Sequence, residues 1–287
     1  MSAALEITGL RKAYKGFALK DVSFTVPEGS IMGLVGPNGA GKTTIIKLIL
    51  NLVRRQAGSV KVFGLDNLAD EKAAKSRIGF VHETPALVED VPLKSIASAA
   101  APFYPKWDQR LFLSLMDEFG LNPGQKFKTL SHGMKMKFSL ALALCHDADL
   151  LVLDEPTSGL DPVFRRELLE RLSGVIQDVR KAVLFSTHIT SDLERTADYI
   201  TLVLDGAVVF SSPRDDVRDG WAVVKGGPEI LDPSRRPLFR AVRESPYGIE
   251  ALTSDVPSAR MAFPSAVFDR ASIEDIMIFL NPGAFHD

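Results

Sequence analysis

A single cysteine, Cys145, occurs in the 287 residues, so no disulfide can close within the chain. It sits among Leu140, Leu142 and Leu144, a setting that suits a buried core thiol in a reducing compartment rather than a reactive one. Long hydrophobic runs are missing as well. The more apolar stretches are residues 45–53, interrupted by Lys47 and Asn51, and residues 200–204. Both fall well short of the roughly eighteen residues a membrane helix needs, which excludes a chain that crosses a bilayer alone. The N-terminus carries Glu6 and has no basic stretch followed by an apolar one, so no signal peptide is expected. Neither sign of charge dominates: 34 Lys and Arg oppose 36 Asp and Glu. This balance argues against a broad nucleic-acid surface, though not against a local one. Internal repeats and low-complexity tracts are absent too. What remains is 46% hydrophobic and 24% charged, ordinary for a globular protein of one large or two modest domains.

Along the chain, residues 4–9 and 18–26 read as strands, and the alternation of Val22, Phe24 and Val26 buries one face. Residues 30–35 form a compact apolar run that reaches Gly36-Pro37-Asn38-Gly39-Ala40-Gly41-Lys42-Thr43, and residues 42–52 follow at helical spacing. Residues 58–63 and 78–81 read as strands and 68–76 as a helix. From 84 to about 146 the texture is helical, broken by Pro92, Pro102, Pro105 and Pro123, which predicts a helical subdomain inserted into an α/β core. Near-continuous apolar runs return at 149–153 and 182–186, as parallel strands covered on both faces require, with a helix over 165–179 between them. Residues 200–204 and 207–211 read as an edge hairpin around Asp205-Gly206. Beyond Gly220, prolines at 228, 233, 237, 246, 257 and 264 predict a loop-rich tail ending in a helix over 273–280. Its apolar residues Phe263, Val267 and Phe268 need burial, so the tail is expected to pack on the core, with regulation as the alternative.

Strand, glycine-rich turn and helix together make the setting of a phosphate-binding loop. Gly36, Asn38, Gly39, Ala40 and Gly41 let backbone N–H groups curl around phosphate oxygens, while the following helix presents its positive end. Lys42 would neutralise the β- and γ-phosphates and the Thr43 hydroxyl would ligate Mg²⁺, with Thr44 beside them in the binding set. Downstream, the apolar run Leu150-Leu151-Val152-Leu153 delivers Asp154 toward the same Mg²⁺ and Glu155 to a place where a base can polarise the attacking water. Between these two segments lies Leu130-Ser131-His132-Gly133-Met134, at the mouth of a helix.

In this order the three segments resemble ATP-binding cassette (ABC) ATPases. The resemblance implies a P-loop NTPase (RecA-like) α/β core with an antiparallel β subdomain, an inserted α-helical subdomain over about 84–146 and a small C-terminal extension. The ABC ATPase domain would span 1–218 and the accessory region 219–287. In that family the segment matching Ser131 and Gly133 is the signature loop, which serves the nucleotide of a second subunit. It therefore implies a homodimer, or pairing with a sibling ATPase, around two ATP molecules. Each site would combine Lys42 and Glu155 of one subunit with Ser131 and Gly133 of the other. Pro156-Thr157-Ser158-Gly159-Leu160-Asp161 matches the family's D-loop and assigns Asp161 to the nucleotide. His188, in Phe185-Ser186-Thr187-His188, resembles the switch histidine that reads the γ-phosphate, and Tyr14 stands where the family places an aromatic that stacks on adenine.

Two departures stand out. Where the family has glutamine after the strand 78–81, this chain has Glu83. A carboxylate ~4 Å from the γ-phosphate costs on the order of 4 kcal/mol at a near-surface dielectric unless a cation intervenes. An inward Glu83 is thus expected to touch Mg²⁺ or its water, and an outward one to couple to a partner. In the signature, His132 and Met134 replace a glycine and a glutamine, while the Ser131 hydroxyl, the Gly133 amide and the helix dipole survive. His132 has three open roles: a contact across the dimer, a solvent-facing position or packing. With Phe103-Tyr104-Pro105-Lys106-Trp107-Asp108, the segment resembles bacterial ABC-2-type exporters, in the subgroup that exports cytolytic peptides or antibiotics. That implies a Mg-ATP-hydrolysing subunit, cytoplasmic and peripheral on the inner face of the cell membrane. It would power export of a peptide or drug-like substrate through separate integral membrane permease subunits, with no nucleic acid expected. A soluble ABC ATPase acting on nucleic acid or the ribosome is the alternative. A degenerate regulatory binder is a third, against which the intact Lys42, Asp154, Glu155 and His188 weigh.

Overall fold

A computed structural model of the protein describes residues 2–85, 87–245 and 248–281 and divides into two compact units, Met1–Ser211 and Ser212–Asp287. In the first unit, β1 (Ala3–Tyr14) and β2 (Phe17–Pro27) pair antiparallel. β3 (Ile31–Val35) then leads through the phosphate loop into α1 (Lys42–Ile49). β4 (Ala57–Val62) and β5 (Leu65–Asp66) return to the first sheet, whose order is β2-β1-β4-β5 with every pairing antiparallel. After α2 (Glu71–Ser76), β6 (Ile78–Val81) opens the edge of a second sheet. Then come α3 (Leu93–Ala100), α4 (Gln109–Glu118) and α5 (His132–Leu144), followed by β7 (Leu150–Asp154). Because β6 and β7 are parallel hydrogen-bonded neighbours, the helical segment is an excursion that leaves and re-enters one edge of the sheet. α6 (Pro162–Val175), β8 (Ala182–Thr187), α7 (Thr190–Thr196), β9 (Tyr199–Leu204) and β10 (Ala207–Pro213) complete the order β10-β9-β3-β8-β7-β6. This is the α/β P-loop fold.

The apolar runs have their expected cause. Every residue of β3, β7 and β8 is buried, as in parallel strands covered on both faces. One core joins Leu5, Ile7 and Phe24 of the antiparallel sheet, Met32, Leu34 and Val152 of the parallel one, and Ile45, Ile46 and Ile49 of α1. Each such side chain contributes roughly 1.5–3 kcal/mol on burial, so α1 is anchored along its length and the loop before it is held. The C-terminal ends of β3, β7 and β8 lie side by side, the place where open α/β sheets bind ligands.

Helix ends differ from the periodicity for local reasons. α1 stops before residue 52 because Asn51 turns left-handed (φ 49°). The Leu52 amide then bonds back to the Lys47 carbonyl at 2.9 Å, a Schellman closure. α2 begins at Glu71, since the Asp66 carboxylate takes the amides of Leu68 and Ala69 and holds a turn there. α6 runs earlier than expected, starting at Pro162 behind the Asp161 cap. The hairpin turn between β9 and β10 has both Asp205 and Gly206 at positive φ (46° and 74°), the geometry that matches strand twist.

The second unit corrects the tail. After α8 (Arg214–Gly220), β11 (Ala222–Gly226), β12 (Ala241–Ser245), β13 (Gly248–Thr253) and β14 (Val267–Arg270) form an antiparallel sheet of order β12-β13-β11-β14. α9 (Val256–Ala262) and α10 (Ile273–Leu280) complete it. The unit has a core of its own in Val224, Ile230, Phe239, Ile249, Ala251 and Phe263. The prolines misled because they stand between strands. Pro228 and Pro237 start short 3₁₀ turns and Pro257 lies in the first turn of α9, where a missing N–H costs nothing. Pro246 lies outside the described residues. Val267 is exposed on the edge strand rather than buried, whereas Phe263 is buried and Phe268 packs against the core.

Candidate nucleotide site

The loop between β3 and α1 lines a cavity of about 760 Å³. Gly41, which caps α1, has φ 111° and offers no side-chain cap to the first-turn amides. Such backbone is readily adopted only by glycine, and uncapped amides at a helix N-terminus form an anion site. Gly36 is required for closeness instead: a Cβ there would fall 2.2 Å from the Val203 carbonyl oxygen.

Lys42 is buried in this cavity wall. Its Nζ donates to the carbonyls of Gly36 (2.7 Å) and Pro37 (3.3 Å) and pairs with Glu155 Oε1 at 3.1 Å. The other Glu155 oxygen, Oε2, meets His188 Nδ1 at 2.8 Å and accepts the His188 amide at 3.3 Å. The Glu155 amide donates to Ser186 Oγ (3.0 Å), and the Ser186 hydroxyl donates to Asp154 Oδ1 (2.6 Å). Asp154 Oδ1 also accepts from Thr43 Oγ1 at 3.3 Å. One network therefore ties the phosphate loop to the ends of β7 and β8. Glu155 itself is left-handed (φ 48°), a backbone state that costs about 1–3 kcal/mol and persists only where the surroundings impose it. Here Ser186, Lys42 and His188 impose it.

The oxygen donors fit magnesium. The Thr43 hydroxyl and the Asp154 carboxylate converge, and Glu83 is among the residues that line the same cavity. Among the described residues no group of three or more His, Cys, Asp or Glu could hold a metal by itself. A hard cation here would thus share its shell with substrate oxygens and water, as Mg²⁺ commonly does.

Other expected residues stand apart from the cavity. Ser131 is exposed and caps α5 by accepting the Met134 amide at 3.3 Å. Neither it nor Gly133 lines the chain's own nucleotide cavity. Asp161 is engaged otherwise: its Oδ1 accepts the amides of Val163 and Phe164, both at 3.0 Å, and caps α6. Tyr14 is 46% exposed, with the Lys12 ammonium 5.4 Å from its ring centre, and the aromatic that lines the cavity is Phe17. Phe17 reaches it because Gly41 has no side chain, as a Cβ there would meet Phe17 Cζ at 2.8 Å. Sequence reasoning missed Phe17, Ser158 and the bridging Ser186. Only Ser186 carried a signal, its place at the strand end before His188.

Residues 19–158 match the sequence profile described as "ABC transporter". The chain is 32% identical over 269 residues to the Nod factor export ATP-binding protein I of Rhizobium johnstonii, covering 90% of this chain and 86% of that protein. It belongs to the ATP-binding proteins of ABC transporters. This ABC ATPase is also 32% identical over 207 residues to the uncharacterized ABC transporter ATP-binding protein YdbJ of Bacillus subtilis, with 71% and 67% coverage. To the bacitracin transport ATP-binding protein BcrA of Bacillus licheniformis it is 29% identical over 221 residues, with 76% and 72% coverage. A solved ATP-binding subunit of an ABC transporter superposes with TM-score 0.70 at 31% identity, over 75% of this chain and 92% of that one. An ATP-binding cassette solved as a dimer with ADP and phosphate shares the fold, with TM-score 0.65 at 21% identity and 73% and 98% coverage. Among the described residues no helix is long and apolar enough to cross a membrane.

Proposed function

We propose that this ABC ATPase binds Mg-ATP in the cavity beneath the ends of β3, β7 and β8, dimerises around two nucleotides, and powers export of a peptide or drug-like substrate through separate membrane permease subunits. The observation that carries the reading is the Lys42–Glu155–His188 cluster set against a complete phosphate loop. On nucleotide arrival Lys42 exchanges Glu155 for phosphate oxygens, its two carbonyl bonds holding the ammonium in place. Glu155, freed and still bounded by His188, takes a proton from water as the water oxygen bonds to the γ-phosphorus and the bond to the ADP oxygen breaks. Thr43 and Asp154, with Glu83 at the cavity, would hold Mg²⁺, which supplies charge neutralisation on the phosphate oxygens. Ser131, exposed, and Gly133, half-buried, lie away from their own cavity and are left to face the nucleotide of a second copy or a sibling ATPase.

Export is supported by what similar proteins are named for, Nod factor export and bacitracin transport. The place of action would be the cytoplasmic face of the membrane. Replacing Glu155 by Gln should cut turnover by roughly 10²- to 10⁴-fold while ATP-driven dimerisation persists, and turnover within about threefold of wild type would remove Glu155 from the role. Membranes incubated with the same variant and ATP should yield an integral membrane partner on pull-down, whereas nuclease-sensitive association would point to nucleic acid instead.

A further inference from the structure

The loop at Ser131 and the loop after Glu155 touch within one chain, although 26 residues separate the contact. His132 Nε2 lies 3.1 Å from the Ser158 carbonyl oxygen. A carbonyl only accepts, so Nε2 carries the proton, and the bond forms in both the neutral and the charged ring. The same ring lies against Gly159, whose Cβ position is 3.6 Å from His132 Cδ2. One residue on, the Cβ position of Gly133 is 3.8 Å from Leu160 Cδ2.

The other side of this contact leads straight to the nucleotide. Ser158 lines the cavity. Its amide bonds to the Glu155 carbonyl at 3.2 Å, and the Leu160 amide to the Thr157 carbonyl at 3.3 Å. The segment from Glu155 to Leu160 is therefore a pair of linked turns starting at the proposed base. A shift of Ser158 would reach His132 through this bond, and His132 is the first residue of α5 and the neighbour of Ser131.

We infer that His132 is a positioning residue that couples a chain's own nucleotide cavity to its Ser131–Gly133 segment. The coupling itself is internal to one chain. It rests on the function proposed above only for its consequence across the dimer, where that segment would present Ser131 to the nucleotide of a second copy. A glycine at this position has neither ring nor donor and makes no such link.

Backbone hydrogen exchange on the full chain tests the link, using a non-hydrolysable ATP analogue at a protein concentration where sedimentation shows a monomer. In the wild type the analogue should slow exchange across both residues 155–161 and residues 132–136, the latter by roughly fivefold, the factor one net hydrogen bond supplies. His132→Phe keeps a ring and loses the donor. It should retain the slowing over 155–161 and lose it over 132–136, with a melting temperature lowered by no more than the roughly 2–4 °C that one net hydrogen bond is worth. His132→Gln restores a donor and should restore the slowing. Equal slowing at 132–136 in wild type and His132→Phe, or no recovery in His132→Gln, overturns the proposal. Dimerisation of the Glu155→Gln protein with ATP is scored separately: its failure removes the dimer reading and leaves the internal coupling standing.

Discussion

Glu155→Gln is expected to tighten ATP binding even as it removes the base. The third partner of the Lys42 ammonium is Glu155 Oε1 at 3.1 Å, and the two side chains are only 6% and 9% exposed. A triphosphate that engages Lys42 must displace this carboxylate and then sit beside its charge. At an effective dielectric near 20, two charges 3.1 Å apart attract by about 5 kcal/mol before desolvation. After desolvation a hydrogen bond between charged groups nets about 1.5–3 kcal/mol. Glutamine keeps the size, an acceptor for Lys42 and a contact for His188, but it removes the charge. The dissociation constant for ATP should fall by roughly tenfold or more, the equivalent of the lower figure. The ligand-free variant should also melt lower, because Lys42 is left buried without a counter-charge. Titration calorimetry with a non-hydrolysable analogue, alongside melting curves, measures both. Unchanged affinity together with an unchanged ligand-free melting temperature would refute the idea that nucleotide binding competes with the Lys42–Glu155 pair.

Three further outcomes are expected from the geometry. His146 is buried and stacked on Tyr104, ring centres 3.9 Å apart, and desolvation holds its pKa down to about 4. The unfolded chain titrates near 6.5, so between these values the unfolded state binds more protons and stability falls with falling pH, by at most about 1.4 kcal/mol per unit. His146→Phe keeps the stack and should flatten that slope in urea melts across the window; identical slopes would contradict it. Asp161→Ala removes the cap of α6, which is worth about 1 kcal/mol or roughly 2–4 °C in melting temperature. Monomer affinity for ATP should stay unchanged, and a loss of affinity without a change in melting would return Asp161 to the nucleotide. Glu83→Gln should raise the Mg²⁺ concentration needed for hydrolysis by about 10- to 100-fold, the range for residues that support a metal. An unchanged Mg²⁺ dependence would exclude that role.

The legible parts were those whose chemistry is contiguous. A phosphate loop needs neighbouring amides, one lysine and one hydroxyl, and the spelling from Gly36 to Thr43 contains them all. Buried parallel strands announce themselves as unbroken apolar runs, as at β7 and β8. The hairpin at Asp205-Gly206 and the helix α10 were readable from turn chemistry and spacing. The C-terminal sheet was not, because strands of four to six residues separated by prolines carry too little periodicity to outweigh the breaks. Asp161 was assigned by its place in a motif, and the structure shows its carboxylate used by two amides nearby. Tyr14 was assigned in the same way, yet Phe17 is the aromatic at the cavity.

By itself the sequence determined the α/β class and the family and singled out Lys42, Thr43, Asp154, Glu155 and His188 as one candidate set, since each depends on short-range periodicity or on neighbouring groups. Only the tertiary structure decided who touches whom. Lys42 meets Glu155, Ser186 bridges Asp154 and the Glu155 amide, Glu83 joins the cavity lining, and His132 reaches Ser158. Those contacts arise from β3, β8 and β7 lying side by side and from the helical excursion returning to the sheet edge. Packing of distant segments sets that order, and no local pattern encodes it.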